Sequence, residues 1–275
     1  MIRKLTLFSR NRMAVAGAIV FLCMLFLTIA ASFLYPKGAF GLAGPPLQAP
    51  GKGFLLGTDS LGRDVAAGVV YGARASLMIG VLAAVSAVVV GALIGAVAGY
   101  CRGNVDVALM RMTEFFQTIP AFLLAMLLVV ILSPSVSSVI IAITVVSWPG
   151  IARLIRGEFI ALGSREFVLA STGLGASPSR IIFRHLLPNC LSPIIAVGSL
   201  LAANAILLES GLSFLGLGDP NVMSWGLLIS AGRTQLRTAW WICTFPGIAI
   251  LLTVLAINLI GDGLNDAFNP RLRER

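Results

Sequence analysis

Apolar runs of about twenty residues recur six times along the chain, at approximately 13–34, 76–100, 107–132, 136–152, 193–215 and 244–262. At about 1.5 Å of rise per residue, a helix of that length crosses the ~30 Å hydrocarbon core of a bilayer. A chain with this pattern has few ways to fold, because lipid supplies no hydrogen bonds and every backbone group must be satisfied inside its own segment. The expected fold class is therefore an all-α polytopic membrane protein with six transmembrane helices. Composition agrees: 58% of residues are hydrophobic and 11% charged, against roughly 25% charged in soluble domains. The net charge of +9 sits in short basic clusters between the apolar runs. That distribution marks membrane topology and argues against a nucleic-acid surface.

The first run follows Arg3, Lys4, Arg10 and Arg12 and closes on Ala30, Ala31 and Ser32, as a cleaved leader also does. Its length of about 22 residues exceeds the roughly 7–15 of a leader's apolar core, which favours a retained anchor. Pro149 in the short fourth run is expected to kink or tilt it. Six spans put both ends on one side. If that side is inner, fourteen of the twenty Lys and Arg fall there and six (Lys37, Lys52, Arg63, Arg74, Arg233 and Arg237) fall outside. The basic excess marks the cytoplasmic face, so both termini are expected to be cytoplasmic. The chain then divides into a tail (1–12), a first span (13–34), an outer segment (35–75), a transmembrane domain (76–265) and a second tail (266–275).

The outer segment opens with a Gly/Pro-rich irregular loop. Leu61, Val65 and Val69 follow at helical spacing, predicting a short amphipathic helix at the interface before the second span. Trp240 and Trp241 are expected to anchor a span at the headgroups. Gly91, Gly95 and Gly99 make a ridge of small residues suited to close helix packing. Four widely spaced cysteines and a single histidine signal neither a disulfide framework nor a metal site.

The inner connection 153–192 is long and patterned. Ser164 is a candidate cap for a helix beginning at Arg165, with Glu166 in its first turn. Phe167, Ala170, Ser171 and Leu174 then share one face. Gly175 is placed to stop that helix in a left-handed conformation. Ser177 and Pro178 are a second start signal, Ile181 to Leu187 are strongly apolar, and Pro188 is expected to end the second helix. Periodicity alone weighs docking of a partner and packing against the chain's own spans equally.

The stretch EFVLASTGLGASPSRIIFRHLLPN resembles the EAA loop of type I ATP-binding-cassette importer permeases, whose two coupling helices seat in a cleft of an ATPase. The family pattern places its glycine on Gly175 and its closing Leu-Pro on Leu187 and Pro188. It departs at Leu169, where the family has an acid, at Ser171, where it has a small alanine, and at His185, where it has an apolar residue. Glu166, one turn before Leu169, is the candidate replacement acid. The resemblance thus implies a docking set of Glu166, Phe167, Leu169, Ala170, Ser171, Gly175, Arg180, Leu187 and Pro188.

The segments LGTDSLGRDV, GYCRGNVDVALMRMTEFFQTIP, SWPGIARLIRGEF, ESGLSFLGLGDP and INLIGDGLNDAFNPRLR are similar to the dipeptide/oligopeptide/nickel branch of that family. Within it they resemble the C-type subunit of dipeptide permeases, with Asn269 in place of a usual Asp. The resemblance implies a homologous B-type permease, one or two ATPases, a periplasmic solute-binding protein and a bacterial inner-membrane location. It also implies a subunit without enzymatic activity or cofactors, ATP and Mg being bound by the ATPases. The chain's three lysines (Lys4, Lys37 and Lys52) lie outside any G-x-x-x-x-G-K-[ST] loop.

Ionisable groups in membrane spans are functional candidates. Arg111 and Glu114 are spaced for an i, i+3 pair. Asp262 and Asp266 close the sixth span. Glu209, near the outer end of the fifth, has three readings: meeting a substrate amino group, pairing with the partner permease, or reaching the interface. Two rivals stand beside peptide import. One is the same machinery carrying nickel or another small solute. The other is an ion-coupled secondary transporter, which predicts inverted repeats that the sequence does not display.

Overall fold

The computed structural model describes residues 11–51 and 53–268. The tail charges Arg3, Lys4, Arg10, Arg271, Arg273 and Arg275, together with Lys52 and Asn269, lie outside them. The described residues fold into helices joined by turns and by one long irregular segment (35–64), which holds two isolated β-bridges (Leu42 with Arg63, Thr58 with Asp64).

Among the described residues, five helices are long and apolar enough to span a membrane. They are α1 (Arg12–Leu34), α2 (Val65–Cys101), α5 (Val136–Gly163), α8 (Leu191–Phe214) and α10 (Trp241–Phe268). Between α2 and α5 lie α3 (Gly103–Thr118) and α4 (Ala121–Leu132), which together supply a sixth, broken crossing. The remainder are α6 (Glu166–Gly173), the helical stretch α7 (178–189) and α9 (Trp225–Gly232).

The two ends of the chain meet. Asn11 Nδ2 donates to Asp266 Oδ2 at 3.3 Å, and Ser192 Oγ donates to Asn265 Oδ1 at 3.4 Å. The starts of α1 and α8 and the finish of α10 therefore share one end of the bundle, here called the inner end. At the outer end Trp241 Nε1 donates to Thr58 O at 3.1 Å, tying the loop ahead of α2 to α10.

Capping residues set the starts. Asn11 Oδ1 accepts from the N–H groups of Met13 and Ala14, and Asp64 Oδ1 accepts from Ala66, satisfying donors that a helix start leaves unpaired. Small residues set the approaches. A Cβ on Gly91 would lie 2.6 Å from Ile151 Cβ, and one on Gly99 would lie 2.7 Å from Phe159 Cβ. The ridge on α2 is thus filled by α5, the close packing its sequence suggested. The core runs in layers along the axis, from Val65, Leu228 and Trp241 outside, through Ile79, Val129, Ile143 and Leu212, to Ile151, Ile155 and Phe159 near the inner end.

Several boundaries differ from expectation. The helix expected at the interface before residue 76 is the outer part of α2: Val65 is fully buried and the helix runs unbroken to Cys101. The third span, expected to be continuous over 107–132, bends by 88° between α3 and α4. Pro120 has no N–H, and its ring holds Ile119 in extended backbone (φ −90°, ψ 128°). Pro149 does not stop α5, which continues past residue 152 to Gly163. Trp240 is half exposed, but Trp241 is buried at 5% exposure. The second tryptophan locks the outer loop and is no headgroup anchor.

Candidate functional site

The inner end carries a protruding pair of helices, α6 and α7. Ser164 closes α5, its Oγ donating to Ala161 O at 3.0 Å, so the cap expected from Ser164 passes to the Arg165 backbone and α6 begins at Glu166. Leu174 ends α6. Gly175 follows at φ +78°, its N–H donating to Thr172 O while Ala176 N–H donates to Ser171 O. This two-bond closure is the Schellman arrangement, and it requires the left-handed conformation that glycine adopts without cost.

Ser177 then caps α7, accepting from Arg180 N–H, with Pro178 in the first turn. The helix does not stop before Pro188. Residues Ile181–Leu186 widen into a π-helix, Leu187 N–H donates to Ile182 O, and Pro188 lies within the last turn, Leu187–Asn189. The extra residue per turn shifts the hydrogen bonds by one where the proline has no N–H to give and its ring would strike the Arg184 carbonyl. Asn189 Nδ2 adds a bond to His185 O at 2.6 Å.

Val168, Ile181 and Leu186 anchor the pair, all buried against Ile151, Ile155 and Phe159 of α5. None belonged to the docking set, since a helical stripe in sequence does not say which face meets its own protein. Ser171 Oγ lies 3.3 Å from His185 Nε2, and the Phe167 ring sits 6.4 Å from the His185 ring. Two of the three positions that depart from the family pattern, Ser171 and His185, thus join α6 to α7.

Of the docking set, Glu166, Phe167, Leu169, Ala170, Gly175, Arg180 and Pro188 are exposed together, while Ser171 and Leu187 are half-buried. Phe167 is 45% exposed, Leu169 57%, Phe183 65% and Leu174 89%. These large apolar side chains stand at the end of the bundle that carries the chain ends. Phe183 was not in the docking set, because the apolar run Ile181 to Leu187 does not say which of its members face outward. At Leu169, where an acid was expected, the exposed surface is apolar.

Glu209 lies elsewhere, in the outer half of α8, with no exposed surface. Ser76 Oγ donates to Oε2 at 2.9 Å, Ser213 Oγ to Oε1 at 2.7 Å and Ser210 Oγ to Oε2 at 3.4 Å. Trp225 N–H donates to Ser76 Oγ at 3.3 Å. The carboxylate pins α2, α8 and α9 together. In this conformation it touches neither solvent nor the interface, and it is not joined to the docking set.

Arg111 and Glu114 form the expected pair at 3.2 Å on the surface, where it contributes little. A second pair was not foreseen: Arg156 Nε and Nη2 donate to the two carboxylate oxygens of Asp106 at 2.5 and 2.6 Å. This fork-to-fork contact ties α3 to α5 beside the docking pair. The residues are fifty positions apart, so sequence spacing carries no sign of it.

The described residues form a bundle of membrane-length helices with a helical pair projecting exposed apolar side chains from one end. Residues 91–274 match the family described as binding-protein-dependent transport system inner membrane component, and residues 5–50 match the N-terminal transmembrane domain of oligopeptide transport permease C. The chain belongs to this family of transporter permease subunits.

Among its relatives, the di/tripeptide transport system permease protein DppC of Pseudomonas aeruginosa is 38% identical over 274 residues, covering 97% of this chain and 90% of that one. The dipeptide transport system permease protein DppC of Escherichia coli K12 is 41% identical over 275 residues, covering 97% and 92%. Among solved structures, the inward-facing MetNI methionine ABC transporter aligns with a TM-score of 0.63 at 18% identity, covering 73% of this chain and 96% of that one. That likeness establishes a shared fold.

Proposed function

We propose that this chain is the C-type permease of a peptide importer in a bacterial inner membrane. It pairs with a homologous B-type permease and receives di- or oligopeptides from a periplasmic binding protein. One or two separate ATPases, which bind the ATP and Mg, dock on Glu166 to Pro188. The observation that carries the docking reading is the exposed apolar surface of Phe167, Leu169, Leu174 and Phe183 on a helix pair whose own core is already filled by Val168, Ile181 and Leu186. Each such side chain gains about 1.5–3 kcal/mol on full burial, so a partner's cleft is the natural occupant. The excess of Lys and Arg at this end supports a cytoplasmic position, where ATP is available. The DppC names of full-length relatives support a peptide as the solute.

In the working cycle, ATP-driven closure of the ATPases would move α6 and α7 of the two permeases together, and hydrolysis would release them. The buried contacts of Val168, Ile181 and Leu186 with α5 carry that movement into the membrane, because a packed core transmits displacement. The test is reconstitution. The chain, co-expressed with its partners and placed in proteoliposomes, should take up peptides only with ATP inside and the binding protein outside. The solute class is read by mass spectrometry of what the purified binding protein carries. A nickel chelate or another small solute there would replace the peptide. Uptake driven by an ion gradient without ATP would overturn the reading.

A further inference from the structure

Asn204 occupies the middle of α8, about 15 Å from its outer end at Phe214. Its side chain is exposed, and it has no hydrogen-bond partner among the described residues. It faces a cleft of about 430 Å³ between α4, α5 and α8, whose lining includes Phe122, Ser147, Leu207 and Leu208. Ser147 on α5 stands about 17 Å below that helix's outer start at Val136. The start of α4 at Ala121 lies about 17 Å from its outer end. The cleft therefore gathers, at one depth, an exposed amide, a hydroxyl and the bend between α3 and α4. The start of α4 carries no side-chain cap.

An amide facing lipid at mid-span is costly, and non-helical backbone at that depth is tolerated only inside protein or beside a water-filled cavity. The break at Ile119–Pro120, directly before the lining residue Ala121, and the exposed Asn204 are separate observations. We infer that this cleft is the chain's wall of the solute pathway, and that Asn204 and Ser147 form its polar step, hydrogen-bonding amide or carboxylate groups of the passing solute. This rests on the permease reading above. It differs from the sequence-based choice of Glu209, which is sealed among serines with no access to the cleft.

The test is thiol reactivity in the complete complex, reconstituted in proteoliposomes, with the native cysteines replaced by alanine and single thiols returned. Asn204→Cys should react with a charged methanethiosulfonate reagent, present on both sides, at least about tenfold faster than a variant keeping only Cys23. Cys23 is exposed at about 17 Å from the outer end of α1, the same depth on a helix whose exposed face is apolar. Saturating solute should slow the reaction. Ser147→Cys gives the same reading if Asn204→Cys fails to assemble.

Asn204→Leu should lower uptake about fivefold or more with ATPase co-purification unchanged. Equal thiol rates at 204 and 23 overturn the inference. So does complete crosslinking of the introduced thiol to the second permease without reaction with the charged reagent, which would make the cleft a helix–helix interface. Fast labelling without peptide uptake would retire the peptide reading alone, and peptide uptake with an unreactive thiol would retire the pathway alone.

Discussion

Gly175 and Glu209 act by opposite means. The glycine matters for its backbone: at φ +78° a side chain meets no atom within 4 Å, so the cost of substitution is conformational. Gly175→Ala should weaken α6 by about 1–2 kcal/mol and loosen ATPase association, measured by co-purification, while the spans stay folded. Gly175→Asn, which tolerates the left-handed region better, should fall between. Retained stoichiometric binding and transport in Gly175→Asp would remove the docking claim. Glu209 matters for its oxygens. Glu209→Ala leaves the hydroxyls of Ser76, Ser210 and Ser213 without their buried acceptor and should cost about 3 kcal/mol. Glu209→Gln keeps the shape and should cost about 1 kcal/mol. Thermal unfolding of the purified complex measures both, and equal melting of wild type and Glu209→Ala would contradict the structural role.

Among the elements, α2 and α5 form the spine and α6–α7 the projection. Gly95 packs on the Ala152 carbonyl, so Gly95→Val should separate the two helices and destabilise the protein by about 1–3 kcal/mol. A lowered melting temperature and yield would report it, and Val at the exposed Leu93 serves as control. On the projection, Phe167→Ala removes an exposed aromatic from a surface whose own core is untouched. ATPase affinity should fall about tenfold, as expected for an aromatic anchor at an interface, with no change in the stability of the isolated subunit. Loss of stability without loss of affinity would identify Phe167 as packing for His185.

For the whole molecule, the shared end of α1, α8 and α10 makes orientation a single binary question. The charge count leads us to expect α6 and α7 in the cytoplasm and the loop 35–64 outside. In intact spheroplasts, an impermeant thiol reagent should label Leu55→Cys, which is 77% exposed on the outer loop. It should label Leu174→Cys only after the membrane is opened. The reverse pattern would invert the topology and remove the ATPase from reach of the docking pair.

The number of crossings, the cap at Ser177, the left-handed Gly175 and the glycine ridge were all legible in sequence, because each depends on local sterics or on an apolar length matched to the bilayer. Which face of α6 is spent on its own protein was not, since Val168 and Phe167 are equally apolar neighbours and only the position of α5 separates them. The same holds for Trp240 against Trp241, and for Glu209, whose surroundings come from three distant helices. Local chemistry thus determined which long apolar segments are helices, while several of their boundaries and the short helix α9 were set by packing. The tertiary structure alone decided which apolar side chains remain free for a partner and which polar one, Asn204, is left facing an open cleft in the membrane, because exposure is a property of what packs alongside and the chain does not carry it residue by residue.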